Sequence, residues 1–263
     1  MKRLRLLTPA LALTLAFTLR GEEWTKTWTV GQQPELRIEA GDASIEIEGR
    51  DGNSIQARLI TEGISIGPSG VEVIEHQSGN SVEVRLREHE SHFNLGHHSR
   101  SIKLHLTVPH QLTANVRTGD GSIRLRSVEG SLGMNTGDGS IEGASLGGDL
   151  NAHTGDGSMQ IEGKFNGLRL TTGDGSIQAR ALLGSKVNSE WELRSGDGSI
   201  ALDVPKELSA DIRLRTGDGH IQTKLPISVL GIQSEHEISG KLNGGGPMIS
   251  VHTGDGSITL GSS

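Results

Sequence analysis

A chain of 263 residues with a formal net charge of −7, only 2% aromatic residues and no cysteine rules out several classes at the start. An acidic, aromatic-poor surface is the opposite of a nucleic-acid footprint, and the missing cysteine removes structural disulfides and lipidation at a cysteine. The 38 glycines sit at fixed offsets, so they mark turns and not disorder.

Residues 1–21 read as a signal peptide for export. Lys2, Arg3 and Arg5 precede an apolar run from Leu6 to Leu19, which has the length of a signal core and is short for a bilayer span. Leu19-Arg20-Gly21 is a poor cleavage site, which keeps an N-terminal membrane anchor as the alternative. Removing this segment leaves a more acidic chain, because it carries four basic residues and no acid.

Residues 22–110 form a strand-rich but less regular part. Leu36-Arg37-Ile38, Ile45-Glu46-Ile47, Val71-Glu72-Val73, Val82-Glu83-Val84 and Ile102-Lys103-Leu104 all alternate apolar and polar, the mark of strands with one buried face. Gln77-Ser78-Gly79-Asn80 reads as a hairpin loop. This part is expected to cover one end of a stack, because a bare terminal coil is an open strand edge.

Residues 111–263 are organised by Thr136-Gly137-Asp138-Gly139-Ser140-Ile141, which recurs seven times between Thr118 and Ile258, with a weaker upstream copy at residues 40–45. Counting from each Asp, positions −6, −4 and +3 are apolar in all eight copies. Because −4 and +3 are both inward, the Gly-Asp-Gly corner must reset the register. Glycine is expected to supply positive φ there. Asp138 is expected to close an Asx turn onto the amide of Ser140, and the Thr at −2 to satisfy backbone groups at the bend. Asp120, Asp138, Asp156 and Asp174 are each 18 residues apart. That step fits two short strands and two tight turns, too little for a propeller blade. Glu129-Gly130, Gly147-Gly148 and Asn166-Gly167 mark the opposite turns. The fold class read from this is all-β: a β-solenoid, parallel β-helix-like, of short two-strand coils.

The step from Asp218 to Asp255 is longer and holds Gly240 to Pro247, read as an expanded loop. Leu260 ends the last repeat almost at the last residue, so that coil is expected to be covered by the N-terminal segment or by a second subunit, a homo-oligomer through the C-terminal coil.

The repeat, together with Glu22-Glu23-Trp24-Thr25-Lys26 and Gly244-Gly245-Gly246-Pro247, resembles the bacterial putative-adhesin family, a β-strand-repeat domain of unknown function. The resemblance runs from about Glu22 to Leu260. It implies a β-solenoid at the cell surface or in the periplasm, and it brings no catalytic residues.

The residues themselves name no site: no catalytic, cofactor-binding or metal-ligating residue is assigned, and no cofactor. Stacked coils would align the aspartates, which makes calcium the weaker alternative to a purely structural Asp, since calcium needs six to eight oxygens. His89, His92, His97 and His98 cluster, without the spacing of a closed zinc site. Asp and Ser recur at equivalent positions, as a structural requirement does, and Gly-Asp-Gly-Ser is not a nucleophile elbow. Three functions stand: a non-catalytic exported envelope solenoid that binds a surface glycan or envelope protein, a self-assembling structural or regulatory envelope module, and a β-helix carbohydrate-active enzyme. The first is the expectation.

Overall fold

The computed structural model describes residues 21–89 and 100–263, and the side chains of all of these except 230–233; the expected signal peptide and His92, His97 and His98 lie outside the described residues. Among the described residues there is no helix, and all 21 strands join one sheet, most of whose pairings are parallel. The sheet wraps into two faces.

On the first face Glu35–Glu39, Gln111–Arg117, Glu129–Thr136, Ile141–Thr154 and Met159–Thr172 run parallel. Trp191–Ser195, Met248–Thr253 and Ala210–Thr216 continue the same ladder. The other face repeats this from Ser44–Arg50 through Ile123–Arg126 and onward to Ile258–Ser262 and Ile221–Thr223.

Register follows the apolar positions. Ile38, Val116, Met134, Ala152, Leu170, Leu193, Val251 and Leu214 form one continuous inward row. Ile45, Ile123, Ile141, Met159, Ile177, Ile200, Ile258 and Ile221 form the facing row. All are buried except Ile221, the end of its row, which is half-buried. Each buried aliphatic side chain contributes about 1.5–3 kcal/mol, and because coils contact only their neighbours this gain accrues coil by coil. Phe165 and Trp191, the largest fully buried side chains among the described residues, meet edge to face with ring centroids 6.5 Å apart.

The order of coils in space departs from the order in the chain. The Asp255 coil sits between the Asp197 and Asp218 coils, hydrogen-bonded to both. The expectation that the last coil is covered by the N-terminal segment or by another subunit is therefore corrected. Its two edges are taken by the chain's own strands, and it offers no free ladder to a second copy. The stack ends instead with the Asp218 coil, whose first face is extended by the antiparallel pair Glu237–Leu242 and Ile227–Gln233.

The Gly-rich loop explains this return. Gly244 and Gly245 both have φ of 88°, and Asn243 has φ of 48°. Asn243 Nδ2 donates to the carbonyls of Lys206 and Leu208 at 2.6 and 2.9 Å, pinning the reversal that feeds Met248–Thr253 into its slot.

At the opposite end, the Asp42 coil lies under Ser81–Glu88 and Ser101–Pro109. Outside these the pairing turns antiparallel, through Val71–Ser78 on one face and Ser54–Glu62 then Glu22–Thr29 on the other. The faces are tied across the end by Glu75, which accepts from Trp28 Nε1 at 3.0 Å and pairs with Lys26 at 2.8 Å. Trp24 and Trp28 sit over the core with ring centroids 6.3 Å apart.

The Lys26 ammonium, followed by the Trp28 N–H, holds the Glu75 carboxyl below the usual carboxylate range. A group whose pKa is depressed on folding stabilises above its unfolded value, about 4.3, and loses that contribution as pH falls through the folded value. Glu75→Gln should therefore lose less melting temperature than the unmutated chain between about pH 5 and pH 3. Parallel acid losses in both chains would disprove the tie.

Candidate functional site

Three surfaces are available: the edge carrying the Asp corners, the two broad faces, and the far edge where the coils turn back.

The corner edge is a hydrogen-bonded column. The amide of Gly137 donates to the carbonyl of Gly119, Gly155 to Gly137, Gly173 to Gly155 and Gly196 to Gly173, each at 2.5 Å. Gly254 then donates to Gly196 and Gly217 to Gly254, both at 2.6 Å, so the column follows the spatial order of coils. Each Thr or Ser at −2 is buried beside it. Thr154 Oγ1 lies 2.8 Å from the carbonyl of Gly139 and accepts from the amide of Gly157 at 3.2 Å. Thr216 and Thr253 make the same contact to Gly256 and Gly198, each at 2.7 Å. These hydroxyls satisfy backbone groups that would otherwise be buried without a partner.

The corner glycines are required for a different reason than torsion. None of them lies in the left-handed region, which corrects the expectation of positive φ. A Cβ on Gly139, Gly157, Gly175, Gly198, Gly219 or Gly256 would instead lie closer than 3.0 Å to the carbonyl oxygen of the adjacent corner. Positive φ belongs to the far turns, at Gly130 (136°) and Gly148 (92°).

All eight corner aspartates are exposed, and Asp138 makes no hydrogen bond to the Ser140 amide, so the expected Asx turn is corrected as well. The carboxylates lean along the stack: Asp42 Oδ1 accepts from the Asp120 amide at 3.3 Å. Among the described residues no three His, Asp or Glu side chains converge on a point where a metal ion would sit. Carboxylates one coil apart repel by about 1 kcal/mol in water, and salt screens this. Asp138→Asn/Asp156→Asn/Asp174→Asn should therefore raise the melting temperature by a few degrees at low salt, with the gain vanishing near 1 M NaCl. A lower melting temperature at all salt concentrations would contradict the repulsion.

The broad faces carry ion-pair rows. Arg124 and Glu142 pair at 2.6 Å, and that guanidinium holds the Glu142 carboxyl below its ordinary range. Glu192, almost buried, lies between Arg169 and Arg194. His89 Nε2 is 3.1 Å from Glu72, while His153, His220 and His252 are exposed on separate coils.

The far edge breaks the regularity. A groove of about 590 Å³ runs over the narrow turns at residues 127–129 and 145–148, bounded by His110, Lys164 and the protruding turn at Leu182–Gly184. A second hollow of about 560 Å³, lined by residues 30–33, 50–53 and 109–111, meets it at His110. Ser127 and Ser145, equivalent residues of successive coils, are left-handed at φ 56° and 54°. His110 Nδ1 lies 2.7 Å from the Ser127 carbonyl and Nε2 lies 3.6 Å from Asp51. Gly49 leaves the room for this, because a Cβ there would strike the Ser127 carbonyl. The turns at Gly130, Gly148 and Gly167 are legible in the sequence; the concavity is not, since it arises from turns of unequal length in coils brought side by side.

The family model described as Toastrack DUF4097 matches residues 34–188 and again residues 110–261. No curated protein matches the chain. Solved structures similar to it include a putative cell adhesion protein from Clostridium sporogenes, at 10% identity and a TM-score of 0.43 over 93% of this chain and all of that one. A putative adhesin from Parabacteroides merdae matches at 12% identity and a TM-score of 0.46 over 91% and 96% of the two chains. A putative lipid binding protein from Parabacteroides distasonis matches at 15% identity and a TM-score of 0.42 over 90% and 96%.

Proposed function

This chain belongs to the Toastrack DUF4097 family, and we propose on that premise that it is a non-catalytic binding module of the cell envelope, exported by residues 1–21 and presenting a rigid stack to a surface glycan or an envelope protein. Residues 22–110 act as the strand-rich start and cap of that stack, and residues 111–263 as its repeated body.

The observation that carries this reading is the equivalence of the chemistry-bearing residues. The seven corner aspartates of the repeated body are all exposed, and the buried Thr or Ser hydroxyl two residues before each of them is engaged with backbone. A catalytic carboxylate differs from its neighbours in environment and pKa. A rigid scaffold with one irregular edge is how binding modules are built.

The test is to incubate the purified chain with isolated envelopes and with a polysaccharide panel. The chain should sediment with the envelopes and release no reducing ends. Release of reducing sugar that one Asp→Asn change abolishes, while its neighbours' changes do not, would replace this reading with the enzymatic one.

A further inference from the structure

We propose that the far edge is a trough for a neutral, hydroxyl- and acetamido-bearing sugar chain, a specification that rests on the binding-module reading. The two hollows that meet at His110 form one run across five coils, from the turn at Arg50–Asn53 to the turn at Leu182–Gly184. At the usual strand spacing that is roughly 20 Å, the length of several linked sugars.

Backbone strain gathers there. Among the described residues four non-glycine residues are left-handed: Gln33, Ser127, Ser145 and Asn243. Asn243 is held by its own side chain's bonds to two carbonyls. The other three line the trough, and among the described residues nothing engages their side chains. Ser145 stands at the register shift between Gly143 and Leu146 and Ser127 at the equivalent place one coil earlier, so these bulges set two hydroxyls in the lining of the trough.

The polar lining sets the class. The side-chain amides of Gln33, Asn53, Gln111 and Asn166 are exposed and have no partner inside the protein among the described residues. Amides donate and accept together, which matches hydroxyl and acetamido groups. Arg50 and Lys164 are balanced by Asp51 and Glu129, so the trough is electrically neutral, unlike the corner edge with its eight carboxylates. A polyanion or a polycation gains nothing there from net charge. The His110 ring, fixed through Nδ1 by the Ser127 carbonyl, stands at the midpoint.

The experiment is NMR titration of the full chain with a hexamer of β-1,4-linked N-acetylglucosamine. Saturable shifts are expected at the side-chain amides of Gln33, Gln111 and Asn166 and at the backbone of Ser127 and Ser145. Ser127→Gly/Ser145→Gly should keep or raise the melting temperature, since glycine relieves the left-handed strain, while weakening binding about tenfold, as the loss of one or two polar contacts does. Asp156→Asn should bind unchanged. No saturable shift, shifts on the corner edge instead, or unchanged binding by the serine double variant would overturn the trough. Chain that still sediments with envelopes after such a result leaves the binding-module reading standing; chain that does neither ends both.

Discussion

Gly157→Ala should unfold the stack or lower its melting temperature by roughly 10 °C or more. The added methyl would lie closer than 3.0 Å to the carbonyl oxygen of Gly139, in a column where successive corners are joined by hydrogen bonds of 2.5 Å. Neither side can yield, because both are backbone and both are buried. A clash of this kind costs about 4 kcal/mol or more, and each kcal/mol moves the midpoint by about 2–4 °C in a domain of this size. Asp156→Asn, one residue away and exposed, is the control and should melt close to the unmutated chain. Ala43 shows the rule from the other side: it stands in the upstream copy where the others have glycine, and the strand next outward from it ends at Glu88, not at a Gly-Asp-Gly corner. A Gly157→Ala chain that melts within about 2 °C of the original would refute the close-approach account of the repeat.

The second large effect is expected from deleting residues 248–263. These residues supply the slotted coil, so their loss strips the parallel partner from Trp191–Ser195 and Ile200–Val204 on one side and from Ala210–Thr216 and Ile221–Thr223 on the other. It also uncovers an inner row containing Trp191, Leu193, Ile200 and Leu202, all essentially buried. In hydrogen exchange, protection should collapse from residue 191 to residue 242 while the coils from Gln111 to Ala181 stay protected, because neighbouring coils are stabilised separately. A synthetic peptide of residues 248–263 should restore part of the protection. Full protection of residues 191–242 in the truncated chain would mean that the Asp218 coil docks directly on the Asp197 coil and that the slot is dispensable.

The apolar rows were legible because their periodicity is local: Leu132, Met134 and Ile141 announce the same inward face in every copy. The −2 hydroxyl was legible for the same reason, since Thr136 shares parity with Met134. The neighbour of each coil was not. Every copy carries an aliphatic residue or methionine at +3, so Ile200 would pair as well with Ile221 as with Ile258, and nothing local ranks the two. The role of the corner glycines was half legible. Their necessity shows in the repeat, but torsion and close approach predict the same residue, and only the adjacent carbonyl distinguishes them. The Asx turn failed because the Asp carboxylates lean toward the next coil, which a reading of one copy at a time does not see. The trough escaped because it is made by the parts of each coil that do not repeat.

The slotted coil also sets a timetable. As the polypeptide emerges, coils up to Asp197 can settle as they appear, but the Asp218 segment reaches the outside before the piece that must lie beneath it. It has to wait, its greasy side unsatisfied, until Met248–Thr253 and Ile258–Ser262 are delivered. A chain that stops within that interval lacks the strand that pairs with both Trp191–Ser195 and Ala210–Thr216. The Asp218 layer thus closes only after Ile258–Ser262 has appeared, and the chain leaves the stack at Ser263 from the flank, one layer in from the tip.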